Sequence, residues 1–71
     1  MISVYRKENT RTIVDSEGGA EYSTVELRGL STDTKPTEIG GKKIDNGSTF
    51  IEVDTGKVYM YDLENKQWNE V

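Results

Sequence analysis

The chain has 71 residues, of which 32% are hydrophobic and 31% are charged, and its net charge is −4. A domain of this size buries only ~60% of the surface that its unfolded chain exposes, so its core is thin, and no cysteine is present to reinforce it with a disulfide. The acidic balance argues against nucleic acid as a partner, because nucleic-acid binders usually carry a basic patch that replaces phosphate counterions.

The N-terminal part of the chain predicts three strands, at residues 2–6, 10–15 and 20–28. Apolar residues do not recur at helical spacing, and the Tyr, Thr and Val content of 20–28 favours a strand. Residues 15–19 (DSEGG) predict a hairpin loop between the second and third strands. Residues 1–6 lack the apolar stretch of a signal peptide. Because no segment is apolar over the ~20 residues of a membrane helix, we expect no membrane association.

Residues 31–47 predict a long loop, because they are rich in turn-forming residues and contain only two apolar anchors, Ile39 and Ile44. Loops of this length in a small domain are usually functional or mobile. Lys35 and Pro36 lie near its middle, and the residue before a proline avoids the helical region. Two interpretations stay open: a plain surface loop, or an arm that grips a neighbouring subunit.

The C-terminal third predicts a three-stranded meander with strands at 48–54, 57–62 and 66–71. The turn residues at 54–57 (DTGK) stand between two alternating segments, which is typical of a hairpin. Since every predicted element is a strand, we expect residues 1–71 to form one all-β domain. We expect it to be a small antiparallel sheet, sandwich or barrel-like domain.

The hydrophobic pattern of the meander predicts its register. A first loop with an even number of residues keeps like residues on one face, and it places Phe50 opposite Tyr61 and Ile51 opposite Met60. A four-residue second loop at 63–66 pairs Tyr61 with Trp68. One face then carries Ile51, Val53, Val58, Met60 and Val71, and the other carries Phe50, Tyr61 and Trp68 with Glu52, Tyr59 and Glu70 beside them.

The aromatic row on this second face has two interpretations. It is either a core layer, covered by apolar residues of the N-terminal half, or a docking surface for another subunit or a glycan. The covering candidates are Ile2, Val4, Ile13, Val25 and Leu27. The candidate interface residues are Phe50, Tyr59, Tyr61, Trp68, Lys35 and Pro36.

Histidine and cysteine are both absent, which removes the commonest general base, zinc ligands and thiol nucleophile. The carboxylates that remain for glycoside chemistry are Glu52, Asp54, Asp62 and Glu64. We expect these at turns and on a solvent-facing strand, with too little chain to enclose a cleft. Residues 45–49 (DNGST) lack the length and closing Glu of a calcium loop and predict a turn. We therefore predict no catalytic residue, no metal site, no cofactor and no enzymatic activity.

Residues 29–36 read GLSTDTKP, residues 47–62 read GSTFIEVDTGKVYMYD, and Trp68 follows. This pattern resembles small phage and prophage proteins, mostly from Gram-positive hosts, over roughly residues 29–71. The resemblance implies a virion structural protein, made in the host cytoplasm, that serves as a head decoration or as a fibre or tail component. Its partners would be other virion proteins or copies of itself. Two alternatives stay open: a glycan- or host-surface-binding module of a tail or fibre, and a non-structural phage protein that binds a host protein.

Overall fold

In the computed structural model, residues 1–16 and 18–71 are described, and these ranges hold seven β-strands and no helix, hence none that could span a membrane. Glu17, part of the predicted loop at 15–19, lies outside the described residues. The all-β prediction is confirmed. The strands are β1 (Ser3–Asp15), β2 (Gly18–Gly29), β3 (Glu38–Ile39), β4 (Lys42–Ile44), β5 (Thr49–Glu52), β6 (Val58–Asp62) and β7 (Gln67–Glu70).

The strands form one curled sheet, a half-barrel, in the order β3-β4-β2-β5-β6-β7, with β1 paired to β2. The sheet is mixed rather than wholly antiparallel, because β2 runs parallel to both β4 and β5. A parallel pair needs a crossover, and residues 30–37 supply it by returning the chain to the start of the sheet. The C-terminal meander of β5, β6 and β7 is antiparallel, as predicted.

The two N-terminal strands predicted at 2–6 and 10–15 are a single strand, β1. Its pairing with β2 shifts between Val4 and Arg6 and again between Lys7 and Thr10. Such β-bulges bend a strand and increase its twist without ending it. The intervening polar residues are therefore irregularities within one strand and not a loop.

The loop predicted at 31–47 is only partly a loop, because β3 and β4 form a hairpin within it. Gly40 and Gly41 make the turn with φ values of 59° and 79°, a conformation that side chains with a Cβ rarely adopt. Ile39 and Ile44 are its anchors, as predicted: Ile44 is fully buried and Ile39 packs at the margin of the core.

The strands β4 and β5 lie end to end along one edge of β2. Ile44 stands beside Ser23 and Thr49 beside Glu26, so two extra residues bulge out between the two strands. The Oγ of Ser48 fills the gap by accepting the backbone N–H of Val25 at 3.0 Å. This bond satisfies a buried donor that would otherwise weaken the sheet.

The core lies on the concave side of the half-barrel. Its buried members are Val25, Leu27, Ile44, Phe50 and Tyr61, and Ile2, Ile39, Tyr59, Leu63 and Trp68 pack at its margin. Among the covering residues that the sequence suggested, Val25, Leu27 and Ile2 take part. Val4, which is 41% exposed, and Ile13, which is half-buried on β1, are not part of this core.

The register of the first C-terminal hairpin differs from the prediction by two residues. Phe50 lies opposite Tyr59 and Ile51 opposite Val58, so the predicted pairing of Phe50 with Tyr61 is wrong. The loop has an even number of residues, as predicted, but it consists of residues 53–56. The N–H of Gly56 donates to the carbonyl of Glu52 at 2.7 Å and closes this loop. A shift of two keeps every side chain on its predicted face. The second hairpin pairs Tyr61 with Trp68, as predicted.

Candidate functional site

The aromatic row belongs to the core. Phe50 is 0% exposed and Tyr61 is 4% exposed. Trp68 packs on both, with its ring centroid 6.0 Å from that of Phe50 in an edge-on arrangement and 5.1 Å from that of Tyr61. The interpretation of Phe50 and Tyr61 as a docking surface is therefore wrong, because neither side chain presents surface to a partner.

Residues 31–37, which we name the strap, cover this aromatic row. The indole Nε1–H of Trp68 donates to the carbonyl of Pro36 at 2.9 Å. The ammonium of Lys35 stands 4.2 Å from the ring centre of Tyr59 and 4.9 Å from that of Phe50. All six residues of the predicted interface thus lie together, but they close the domain's own core. The strap is bound to its own sheet through Lys35 and Pro36.

A buried ion pair fixes the centre of the strap. The Nζ of Lys35 donates to Oε2 of Glu52 at 2.8 Å, and the hydroxyl of Thr55 donates to Oε1 at 2.7 Å. Glu52 is 3% exposed, so the expectation of a solvent-facing carboxylate is wrong. The Lys35 bond, and next the Thr55 bond, lower the pKa of Glu52 from its ordinary value of 4.5.

Removing Lys35 is expected to change the pH dependence of stability. Because the pKa of Glu52 is depressed in the folded state, its contribution is present above pH 4.5 and is lost as the pH falls through the folded pKa. In Lys35→Met the carboxylate stays buried without its cation, so the urea midpoint at pH 7 is expected to fall clearly. The difference from wild type is expected to shrink at about pH 3.

The matched control is Lys43→Met, which removes an exposed ammonium. Its urea midpoint is expected to stay close to wild type at both pH values, since exposed charges contribute little. Urea titrations followed by circular dichroism check both variants. An equal loss for Lys35→Met at pH 7 and pH 3 would contradict the role of Glu52.

Two of the other candidate carboxylates, Asp54 and Asp62, are held by hydrogen bonds, and Glu64 is exposed. Asp54 accepts the backbone N–H of Ser31 at 2.9 Å and its hydroxyl at 2.6 Å, which chiefly accounts for a lowered pKa. Asp62 accepts the side-chain amide of Asn65 at 2.7 Å, and its pKa is lowered in the same way. These carboxylates thus pin the strap and the second hairpin loop. They do not converge on a cleft with Glu52.

Asp45, at the start of the turn at 45–49, anchors β1. The guanidinium of Arg11 donates two hydrogen bonds to the carboxylate of Asp45, from Nε to Oδ2 at 2.6 Å and from Nη2 to Oδ1 at 2.7 Å. This contact, followed by the backbone N–H of Asn46, holds the pKa of Asp45 down against its burial. Arg11 is also the partner of Tyr22 on β2. The pair therefore fixes the point at which the β1–β2 hairpin leaves the half-barrel.

Beyond Arg11 and Tyr22 the hairpin continues alone. Residues 12–15 of β1 and 18–21 of β2, which we name the ribbon, pair with each other and, within the described ranges, with no other strand. At the usual rise per residue, four residue pairs make the ribbon ~14 Å long. A projection of this length is consistent with the elongated shape of the molecule, which measures 40 × 21 × 17 Å. Val14 on the ribbon is 76% exposed. Nothing in the sequence distinguished the ribbon from an ordinary covered hairpin.

The convex side of the sheet also carries apolar side chains. In one row across neighbouring strands, Arg28 of β2 lies beside Ile51, Ile51 opposite Val58, and the N–H of Val71 bonds the carbonyl of Val58. We name this convex surface the outer face. It comprises Tyr5, Glu26, Arg28, Ile51, Val53, Val58, Met60 and Val71. Its aliphatic members are those that the sequence placed together opposite the aromatic row.

Comparison of the chain with models of known protein families, with curated proteins and with solved structures gives no match. Function is therefore inferred from the geometry of the strap, the ribbon and the outer face. Within the described residues, no group of three or more acidic side chains is arranged to hold a metal ion.

Proposed function

We propose that the chain is a phage virion structural protein, a head decoration or a fibre or tail component, that acts through protein–protein contacts. The ribbon is the observation that carries this proposal. A two-stranded hairpin without a third strand or a covering layer is marginally stable in water, and the ribbon has neither among the described residues. A neighbouring subunit that packs on the ribbon would supply the missing layer.

The chemistry of the ribbon fits a docking arm. Val14 is exposed near its tip, Ile13 and Ala20 are half-buried, and the residues around them are polar. Among the residues that the structure describes, no strand pairs with the outer edge of β1, so a strand of a partner can add there. The ion pair of Arg11 with Asp45 sets the direction of the arm at its root.

The resemblance to phage proteins supports the virion assignment. It covers roughly residues 29–71, which form most of the half-barrel and the whole strap. Small auxiliary subunits of this kind would need a stable body and a projecting element, and the half-barrel and the ribbon supply these two parts.

Shortening the ribbon is expected to abolish incorporation while leaving the half-barrel folded. Arg11 and Tyr22 are direct partners, so replacing residues 12–21 with Asn-Gly joins them by a two-residue type I′ turn in the same register. We expect a β-type circular dichroism spectrum and a melting temperature near that of wild type. We expect the amount of the chain in purified virions, measured by quantitative mass spectrometry, to fall at least tenfold.

Lys57→Ala, in the exposed loop end before β6, is the control and is expected to enter virions normally. Normal incorporation of the shortened chain would contradict the role of the ribbon. Absence of the unaltered chain from virions would contradict the virion assignment and favour the non-structural phage protein that binds a host protein.

A glycan-binding module is the second candidate, favoured by one cleft. Tyr22, Tyr61 and Leu63 line this cleft of about 210 Å³, with Lys43 and Lys66 also on its wall. The half-buried ring of Tyr22 suits a sugar face, and ammonium groups suit acidic sugars. The cleft is smaller than the ~300–1,000 Å³ of typical ligand sites, so the assembly function is the stronger candidate.

A further inference from the structure

The outer face combines exposed apolar side chains with two opposite charges. Val53 is 65% exposed, Met60 is 46% exposed and Val71 is 79% exposed. Ile51 and Val58 lie between them and are half-buried. Several exposed apolar side chains grouped on one face of a small domain favour an interaction site there. It lies on the opposite side of the sheet from the core, so no residue of the strap can cover it.

Arg28 stands at one end of this apolar row and has few partners. Its guanidinium carbon lies 4.0 Å from the ring centre of Tyr5. One Nη donates to Glu26 of the same strand at 3.3 Å, and the Nε, which is buried, has no acceptor in the structure. A buried Nε cannot be reached by another molecule, but the side chain as a whole is 42% exposed, which leaves its outer nitrogens accessible. Arg28 therefore has donor capacity for a second carboxylate.

Glu26 lies two residues from Arg28 on the same strand, and side chains two apart on a strand share a face. Both remain partly accessible, with side-chain exposures of 32% and 42%. A two-fold axis in the interface plane that crosses β2 between these residues would bring Arg28 of one copy against Glu26 of the other, twice per dimer. The charge pattern of the outer face is thus complementary to itself, as a two-fold interface requires.

We propose that the outer face binds a second copy of this chain, with β2 crossing β2 and two reciprocal Arg28–Glu26 ion pairs. The inference rests on the proposed function, since it names one partner of a protein that works by protein–protein contacts. The two sheets pack back to back, and the aliphatic residues of the outer face meet at the centre. The ribbon stays free for a different partner.

The size of the outer face sets the strength of this dimer. Five neighbouring strands at ~4.8 Å spacing span ~19 Å, and four to five residues along each strand span ~15 Å. That patch is smaller than the ~800 Å² per partner of a standard stable interface. Interfaces below the standard size are typical of weak, transient association, so we expect a weak dimer whose ion pairs select the orientation.

Sedimentation equilibrium over a concentration series tests the apolar part of the interface. Met60→Glu places a charge in the outer face and is expected to raise the dimer dissociation constant at least tenfold, with an unchanged melting temperature. Val14→Glu makes the same type of change at an exposed ribbon residue and is expected to leave the dimer intact. Loss of the dimer in Val14→Glu, with none in Met60→Glu, would overturn the proposal in favour of association through the ribbon.

Charge reversal tests the orientation. Arg28→Glu alone sets two carboxylates against each other at each contact, and Glu26→Arg alone sets two guanidinium groups together, so each variant is expected to dimerise at least tenfold more weakly. An equimolar mixture of the two variants, and a chain with both changes, restore opposite charges across the interface. Each is expected to recover dimerisation to within about threefold of wild type. If the single variants are too unstable to compare, the doubly substituted chain alone decides the question.

Weak single variants without recovery in the mixture or in the double variant would overturn the two-fold arrangement. A wild-type chain that stays monomeric to millimolar concentration would overturn the proposal outright. That result would leave the virion assignment standing, because incorporation through the ribbon is measured separately in purified particles.

Discussion

Replacing Trp68 with alanine is expected to lower the free energy of unfolding by about 3 kcal/mol, the low end of the usual cost for a buried large aromatic. Trp68 is half-buried, but it packs on Phe50 and Tyr61 and bonds the carbonyl of Pro36 in the strap. Its removal therefore opens the core and releases the strap together. A domain of 71 residues has only ~4–10 kcal/mol of stability, so the variant is expected to be partly unfolded at 37 °C.

Trp68→Phe separates these two contributions. It keeps an aromatic ring against Phe50 but loses the N–H that donates to Pro36, and we expect it to cost about 1 kcal/mol. Urea unfolding followed by far-ultraviolet circular dichroism measures both variants without relying on the tryptophan signal. Equal stability of Trp68→Ala and wild type would contradict the role of the indole in covering the core and holding the strap.

Replacing Gly29 with alanine is expected to destabilise the domain by about 2 kcal/mol, through overpacking. A Cβ at Gly29 would stand 2.8 Å from Cζ of Phe50, 3.0 Å from Asp33 and 3.2 Å from Ile2. The ring of Phe50 is fully buried and cannot move aside freely. The backbone of Gly29 is not in the left-handed region, so the cost comes from the lack of space and not from conformation.

Gly19→Ala on the ribbon is the matched control. Its new methyl group would meet Thr12 at 3.4 Å, an ordinary contact, so we expect a change within about 0.5 kcal/mol or a small gain from the stiffer unfolded chain. In a double-mutant cycle with Phe50→Leu, which shortens the opposing side chain, Gly29→Ala is expected to cost less than in the wild type. Additive effects would contradict the contact between Gly29 and Phe50.

Local patterns predicted the all-β class, the C-terminal meander and the pairing of Tyr61 with Trp68. Alternation fixes which face each side chain occupies, but it is unchanged by a shift of two residues. For that reason the sequence placed Phe50 and Tyr59 on the correct face yet paired Phe50 with the wrong partner. The position of the loop at 53–56, with Gly56 at a φ of 77°, is not specified by the alternating pattern.

Contacts between distant residues could not be predicted in this way. The parallel pairs of β2 with β4 and β5 depend on the path of the crossover at 30–37, which has no periodic signal. Arg11 and Asp45 are 34 residues apart, and many acidic residues could have been the partner. The ion pair of Lys35 with Glu52 could have been anticipated in part. Glu52 falls on the aromatic face, and a carboxylate buried there needs a cation.

The virion assignment is tested most directly by the absolute amount of this chain in purified particles of a phage that encodes it. Quantitative mass spectrometry with isotope-labelled peptides of the chain, normalised to the major capsid protein, gives the copy number per virion. A virion structural protein is expected at a fixed stoichiometry, from several copies for a tail or fibre component to many for a head decoration. Particles that infect normally and contain none of the chain would contradict the assignment.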